Sequence, residues 1–263
     1  MGRVTMPTID FNSDMGESFG VYRLGTDREV LRHVTSANIA CGFHAGDPRT
    51  IKATVRAAVD ANVAIGAHPG YSDLQGFGRR AIQMSADEIY DITVYQVGAV
   101  KAFADAAGVK LSAAKPHGAF YLWAQLSEDN SRAILEGFKD VDPNFVVYLP
   151  SLPRHPMLAV AERMGFRVVK EFYPGLVYAE DGSVGVKRTY GEENVDEMVG
   201  LVMKFVREGK VTTASGKDID VEADSICVHG DVINAPEVVQ ALRSALARAG
   251  VEARSAIKSG SSR

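Results

Sequence analysis

The chain has 263 residues, 46% of them hydrophobic and 24% charged, with a formal net charge of −4. That composition belongs to a folded globular protein of one α/β barrel or two smaller domains, and without a basic run it excludes a nucleic-acid role on electrostatic grounds. No signal-like apolar run opens the chain and no stretch of about 18 apolar residues could cross a membrane, so a cytoplasmic protein without membrane contact is expected.

Residues 8–12 alternate as a short strand that runs into Ser13-Asp14-Met15-Gly16-Glu17, and residues 25–33 have room for a helical turn or two. Residues 36–40 read as a second strand. The stretch Asn38-Ile39-Ala40-Cys41-Gly42-Phe43-His44-Ala45-Gly46-Asp47-Pro48 then bends tightly and ends in an N-cap followed by Pro at the first helical position. A helix follows over 48–61, with Ile51, Val55, Ala58 and Val59 on one face. Residues 63–67 form a third strand ending at His68-Pro69-Gly70-Tyr71, and a long polar loop over 72–80 contains Gly76-Phe77-Gly78-Arg79-Arg80. Loops of that length in a compact domain are commonly functional.

Ser85-Ala86-Asp87-Glu88 is a capping box opening a helix to about Ala107, closed by Gly108. Residues 109–114 read as strand four, ending at Lys115-Pro116-His117-Gly118. A helix over 129–139, strand five over 145–149, a helix over 156–164 and strand six over 167–170 lead to Glu171. A helix over 193–208, a small hairpin over 209–221, strand seven over 225–228 ending at His229-Gly230-Asp231, and a helix over 236–249 complete the chain. Residues 1–255 form one domain, and the Ser- and Gly-rich residues 256–263 read as a flexible tail.

Strand and helix alternate about seven times, which argues for a parallel sheet. Asp14, His44, His68, Lys115 with His117, Glu171, and His229 with Asp231 follow the ends of successive strands. In an open sheet only strands beside a switch point share a site. Here nearly every strand contributes, so the sheet closes into a barrel of seven or eight strands with one mouth.

Asp10, Asn12 and Asp14 occupy alternate positions of the first strand and so share a face. That face is either the solvent side of an edge strand or, in an otherwise apolar parallel sheet, the side that points into that mouth. Four of the six histidines, His44, His68, His117 and His229, follow strand ends beside glycine, whereas His33 and His155 do not. Such histidines and carboxylates either bind a divalent ion, activating water, or act as metal-free acids and bases. Lys115 could neutralise a carboxylate, polarise a carbonyl or anchor phosphate. Arg79 and Arg80 read as an anion clamp or as a solvated loop tip. Cys41 and Cys227, far apart and without metal-type spacing, read as small core residues of a reducing compartment.

These stretches, together with Asp10–Glu17, Ser36–Asp47 and Lys115-Pro116-His117-Gly118-Ala119-Phe120-Tyr121, resemble the LamB/YcsF family, whose members include the A component of bacterial 5-oxoprolinase. The resemblance implies a single seven-stranded β/α barrel of the TIM type, similar to polysaccharide deacetylase barrels. It also implies partner subunits and the ring opening of 5-oxoproline, or a related lactam, at the expense of ATP. Asp14, Glu17, Lys115 and His117 would then be catalytic, and Asp10, Asn12, Asn38, His44, Arg79, Arg80, Glu171, His229 and Asp231 would bind substrate. By analogy with the deacetylases, Asp14, His68 and His117 would hold a divalent metal. A metal-dependent deacetylase is one alternative, and a non-catalytic subunit that binds a small molecule is the other.

No Gly-x4-Gly-Lys-Ser/Thr occurs here, so an ATP-binding fold is expected on a partner. The chain departs from the family where Phe-Ala-Asp-Arg usually follows the glutamate. Tyr173-Pro174-Gly175-Leu176 stands there without either charge, and Leu122 replaces a common asparagine. A usual arginine further on is Lys187 or is displaced to Arg188, either of which could substitute for the missing one. Weaker use of 5-oxoproline, with preference for a less polar or larger cyclic amide, is the expected consequence.

Overall fold

The computed structural model describes residues 7–124, 127–151, 156–185 and 191–257, with the side chains of 122–124 excepted. The Leu122 side chain, His155, Lys187, Arg188 and residues 258–263 lie outside that description.

The first six strands are β1 (Thr8–Met15), β2 (Ser36–Ala40), β3 (Ala64–His68), β4 (Ala113–Ala114), β5 (Val146–Pro150) and β6 (Arg167–Phe172). A small antiparallel pair follows, β7 (Lys210–Thr212) with β8 (Asp218–Asp220), and then β9 (Ser225–His229). β1 to β6 and β9 pair in parallel in that order, and β9 pairs back onto β1, closing a barrel of seven strands. The expected hairpin over 209–221 is the β7–β8 pair, outside the barrel.

Helices α1 (Asp27–Val30), α2 (Pro48–Asp60), α3 (Ala86–Ala106), α4 (Gly118–Ala124), α5 (Glu128–Val141), α6 (Pro156–Arg163), α7 (Val195–Glu208) and α8 (Ala235–Arg248) accompany it. None is long and apolar enough to cross a membrane. The two strongest helix starts behave as their residues dictate. The Asp47 carboxylate accepts from the backbone N–H groups of Arg49 and Thr50, both at 2.8 Å, with Pro48 supplying the fixed φ of the first turn. Ser85 and Glu88 complete a reciprocal capping box at the start of α3.

Outward strand positions such as Phe11, Ile39, Ile65, Val147, Phe172 and Ile226 pack into one apolar shell against the helices. A second, smaller cluster of Ala64, Ala113, Val146, Tyr148, Val169 and Ile257 lies apart from it. Three elements differ from the sequence expectation. β4 is only Ala113–Ala114, because Val109 to Ser112 form no ladder with β3 beyond Ser112 donating to Ile65. The stretch read only as the end of a strand motif turns at once into α4. A short β10 (Glu252–Ala253) pairs with Thr8 and Ile9, and Ile257, expected in a flexible tail, is buried.

Asp10, Asn12 and Asp14 do share the inward face, but they are stacked in depth. Two residues along a strand advance roughly 6–7 Å, so only Asp14 reaches the level of His229 and Asn38, its register partners. Asp10 is a structural anchor two levels below, which corrects its assignment to substrate. It accepts from Thr35 Oγ1 at 2.7 Å, Ser36 Oγ at 2.7 Å, Ser225 Oγ at 2.6 Å and the Tyr148 hydroxyl at 2.9 Å. Asp10→Ala would leave those donors without their buried acceptor. A stability loss above about 3 kcal/mol is expected, since each unsatisfied buried group costs about 1–3 kcal/mol, and urea unfolding of the purified variant measures it.

Candidate active site

The barrel mouth is organised by a buried ammonium group. Lys115 follows β4 and is 4% exposed, and its Nζ lies 2.9 Å from Asp14 Oδ1, 3.2 Å from Glu171 Oε1 and 3.1 Å from Cys227 Sγ. Burial disfavours the charge, yet Asp14, Cys227 and Glu171 outweigh it and hold Lys115 as an ammonium well above its usual pKa. Burial would also neutralise Asp14, but His68 and Lys115 hold its carboxyl well below the usual range. Asp14 is therefore a fixed anion. Burial pushes Glu171 upward despite Lys115; its oxygens accept from Asn12 Nδ2 at 3.0 Å and the Tyr173 hydroxyl at 2.6 Å.

Asn38 Nδ2 donates to Asp14 Oδ1 at 2.9 Å and to Asn12 Oδ1 at 2.8 Å. The other Asp14 oxygen, Oδ2, faces two imidazoles, with His68 Nε2 at 3.4 Å and His229 Nε2 at 3.8 Å. Burial drives His229 down to about 3, so this ring is neutral at physiological pH.

Behind His68 lies an aromatic cluster. His44 and His117 stack with centroids 3.7 Å apart and planes within 2°, and His68 meets both edge-on at 87°. Burial lowers the pKa of His44 and of His117, favouring neutral rings. The glycines around His44 are there for contact. A Cβ on Gly70 would lie 2.7 Å from His44 Nδ1, and one on Gly78 would lie 2.6 Å from its Cβ. Glu17 Oε1 approaches His44 Nε2 at 3.8 Å, and burial raises the Glu17 pKa well above normal.

The cavity at this mouth encloses about 600 Å³, counting its open side, and Asp14, His68, Lys115, His117, Arg79 and His229 supply its charged or titratable lining. Tyr121, Tyr148, Tyr173 and Leu176 line it too. Of the expected catalytic residues, Asp14, Lys115 and His117 reach the cavity, whereas Glu17 lies behind the histidines. Of the expected substrate ligands, Arg79 and His229 line it. Asn12, Asn38 and Glu171 instead brace Asp14 and Lys115 from inside the barrel, and His44 is fully buried. Asp231 positions Arg79, its Oδ2 accepting from Nη2 at 3.0 Å while the guanidinium lies 4.7 Å from the Phe77 ring centroid.

Arg80 is corrected. Its side chain is 54% exposed and pairs with Asp73 across the loop, so one arginine of the pair enters the site. Tyr148 also lines the cavity, a residue that no sequence motif marks. Its signal was a hydroxyl on an inward-facing position of an otherwise apolar strand.

His68 and His117 fit a metal ion through their ring tautomers. Asp14 fits less well, because an ion bound to it would sit beside the Lys115 ammonium.

Comparison with known proteins places these residues in a wider group. The sequence profile of the LamB/YcsF family matches residues 9–260. The A component of 5-oxoprolinase from Brevibacillus brevis is 43% identical over 248 residues, covering 94% of this chain and 97% of that protein. Its counterpart from Pyrococcus abyssi is 43% identical over 246 residues, covering 93% and 96%. The crystal structure of a lactam utilization protein from Thermus thermophilus superposes with a TM-score of 0.86 at 41% identity, covering 94% of this chain and 99% of that one.

Lys115→Met would strand two buried carboxylates. A loss of about 3–5 kcal/mol at pH 7 is expected. The depressed Asp14 pKa stabilises the wild type above the unfolded value of about 3.9 and ceases to do so as pH falls through the folded one. The gap between wild type and variant therefore narrows below about pH 4, which paired urea titrations at pH 7 and at lower pH measure.

Proposed function

The chain belongs to the LamB/YcsF family, and from that premise we propose that it opens the ring of 5-oxoproline or a related lactam as one component of an ATP-dependent hydrolase. The observation that carries this reading is the Asp14–Lys115 pair at 2.9 Å in the mouth cavity. A permanent anion beside a permanent cation suits attack of water on an amide carbonyl, one holding the water and the other the oxygen that gains charge.

Asp14 orients the water and takes its proton as the bond to the carbonyl carbon forms. Lys115 faces the carbonyl oxygen. Neutral His229 holds a proton near the ring nitrogen that leaves as an amine. Arg79, braced by Asp231, binds an anionic group of the substrate.

A lactam is a poor electrophile, and phosphoryl transfer from ATP to its oxygen on a partner subunit would cure this. Water then adds to the ring carbon, the C–N bond breaks with a proton to nitrogen, and a second water releases phosphate from the resulting acyl phosphate. A divalent ion at His68 and His117 would add Lewis-acid polarisation. The relatives' names, which call them subunits, support the partner requirement.

Glutamate formation from 5-oxoproline and ATP, with and without candidate partner subunits, tests the reading. Asp14→Asn is expected to lower kcat by about 10²–10⁴-fold, and Arg79→Ala to act mainly on KM. Full turnover by this chain alone would refute the partner requirement, and an unaffected Asp14→Asn would remove the site.

The cavity wall bears on specificity. Leu176 lines it, at the position to which the family resemblance assigns an arginine, so one charged donor would be replaced by apolar surface. Losing a charge-assisted contact costs roughly 1.5–3 kcal/mol, about 10- to 100-fold in affinity. The expected outcome is a kcat/KM ratio of 5-oxoproline over 2-pyrrolidinone lower by that factor than in a relative carrying the arginine. An equal ratio would show that the contact is replaced.

A further inference from the structure

His68 and His117 face each other in an arrangement that neutral imidazoles cannot hold alone. His68 Nδ1 lies 2.7 Å from the Lys115 carbonyl oxygen, and His117 Nε2 lies 2.8 Å from the Phe77 carbonyl oxygen. A carbonyl oxygen only accepts, so each of these nitrogens carries its ring's proton. With both rings neutral, His68 Nε2 and His117 Nδ1 would be bare lone pairs 3.0 Å apart, with the Asp14 Oδ2 anion 3.4 Å from His68 Nε2 besides. A positive species between them removes the repulsion. Metal-bound histidines are typically held in this way, one nitrogen on the ion and the other donating to a carbonyl or carboxylate.

The surroundings point to what that species is. One ligand atom from each of Glu17, His44, His68 and His117 lies within 4.8 Å of the others, and all four residues are buried. Neither ring nitrogen of His44 has a hydrogen-bond partner among the described residues, although the residue is 0% exposed. Buried polar atoms are rarely left so without a missing partner.

We propose that Glu17, His68 and His117 bind a divalent transition-metal ion of the zinc class, with His44 fixing the Glu17 carboxylate. Two imidazoles and a carboxylate leave an open coordination position of the kind catalytic zinc sites keep. Imidazole donors disfavour magnesium and calcium. Asp14 stays outside the set because its Oδ1 is taken by Lys115 and Asn38, and an ion on its Oδ2, 3.4 Å from His68 Nε2, would sit beside the Lys115 ammonium. Glu17 has no hydrogen-bonded cation among the described residues. His44 does not ligate beside His117: their planes are parallel at 3.7 Å, and one ion cannot lie in both.

The inference stands apart from the lactam reading, because ion binding is measured without substrate. The full chain, stripped with chelator, is titrated with Co²⁺ and followed by its visible absorption, and separately heated with and without Zn²⁺ or Mg²⁺. A band saturating at one equivalent is expected, with a rise in Tm for Zn²⁺ and none for Mg²⁺. His68→Ala/His117→Ala should lose the band. His44→Ala should keep the stoichiometry and bind about 10–100-fold more weakly, as loss of an outer partner does. Absence of saturable Co²⁺ binding by the wild type overturns the proposal, with a shared proton then bridging the rings. Retention of the band in the double variant overturns it as well.

Discussion

Everything at the barrel mouth depends on the ammonium group of Lys115. A β/α barrel interior is usually filled by branched apolar side chains, but here the inward face of β1 carries Asp10, Asn12 and Asp14. Two carboxylates, Asp14 and Glu171, end up buried close together, and each would raise the other's pKa. Lys115 reaches both. Buried ion pairs seldom repay their desolvation in net stability, so the gain here lies in placement. One fixed positive charge sets one carboxylate permanently ionised and holds it beneath an open cavity.

The amide side chains make that placement rigid. Asn38 ties Asp14 to Asn12, and Asn12 ties both to Glu171 and Ser225. The register β2–β1–β9 brings these residues to adjoining levels, so the barrel's closure is itself what assembles the site. Arg79 joins from outside, on a loop whose Phe77 has a φ of +53°, an uncommon backbone state for a side chain of that size.

Much of this was legible in the chain. Glycine and histidine at successive strand ends pointed to one mouth, and four histidines do meet around Asp14 and Glu17. What could not be read was depth and direction. Alternation shows that Asp10 and Asp14 share a face, but not that strand rise puts one among structural hydroxyls and the other in the cavity. Arg79 and Arg80 are neighbours in sequence, and only the folded loop shows that Asp73 takes one and Asp231 the other. Short elements such as α4 and β10 carry too few periodic residues to announce themselves. Tyr148, an aromatic inside a strand, looks like core until its hydroxyl is seen on Asp10.

The acceptors that orient His68 and His117 are both main-chain carbonyls, those of Lys115 and Phe77. A side-chain acceptor disappears with a single codon change, whereas a carbonyl is present whatever residue occupies the position. The protonation pattern of the two rings is thus written into the path of the chain. Point substitutions at 115 or 77 can alter charge or packing, but the instruction about which nitrogen holds its hydrogen is erased only by rerouting the loops themselves.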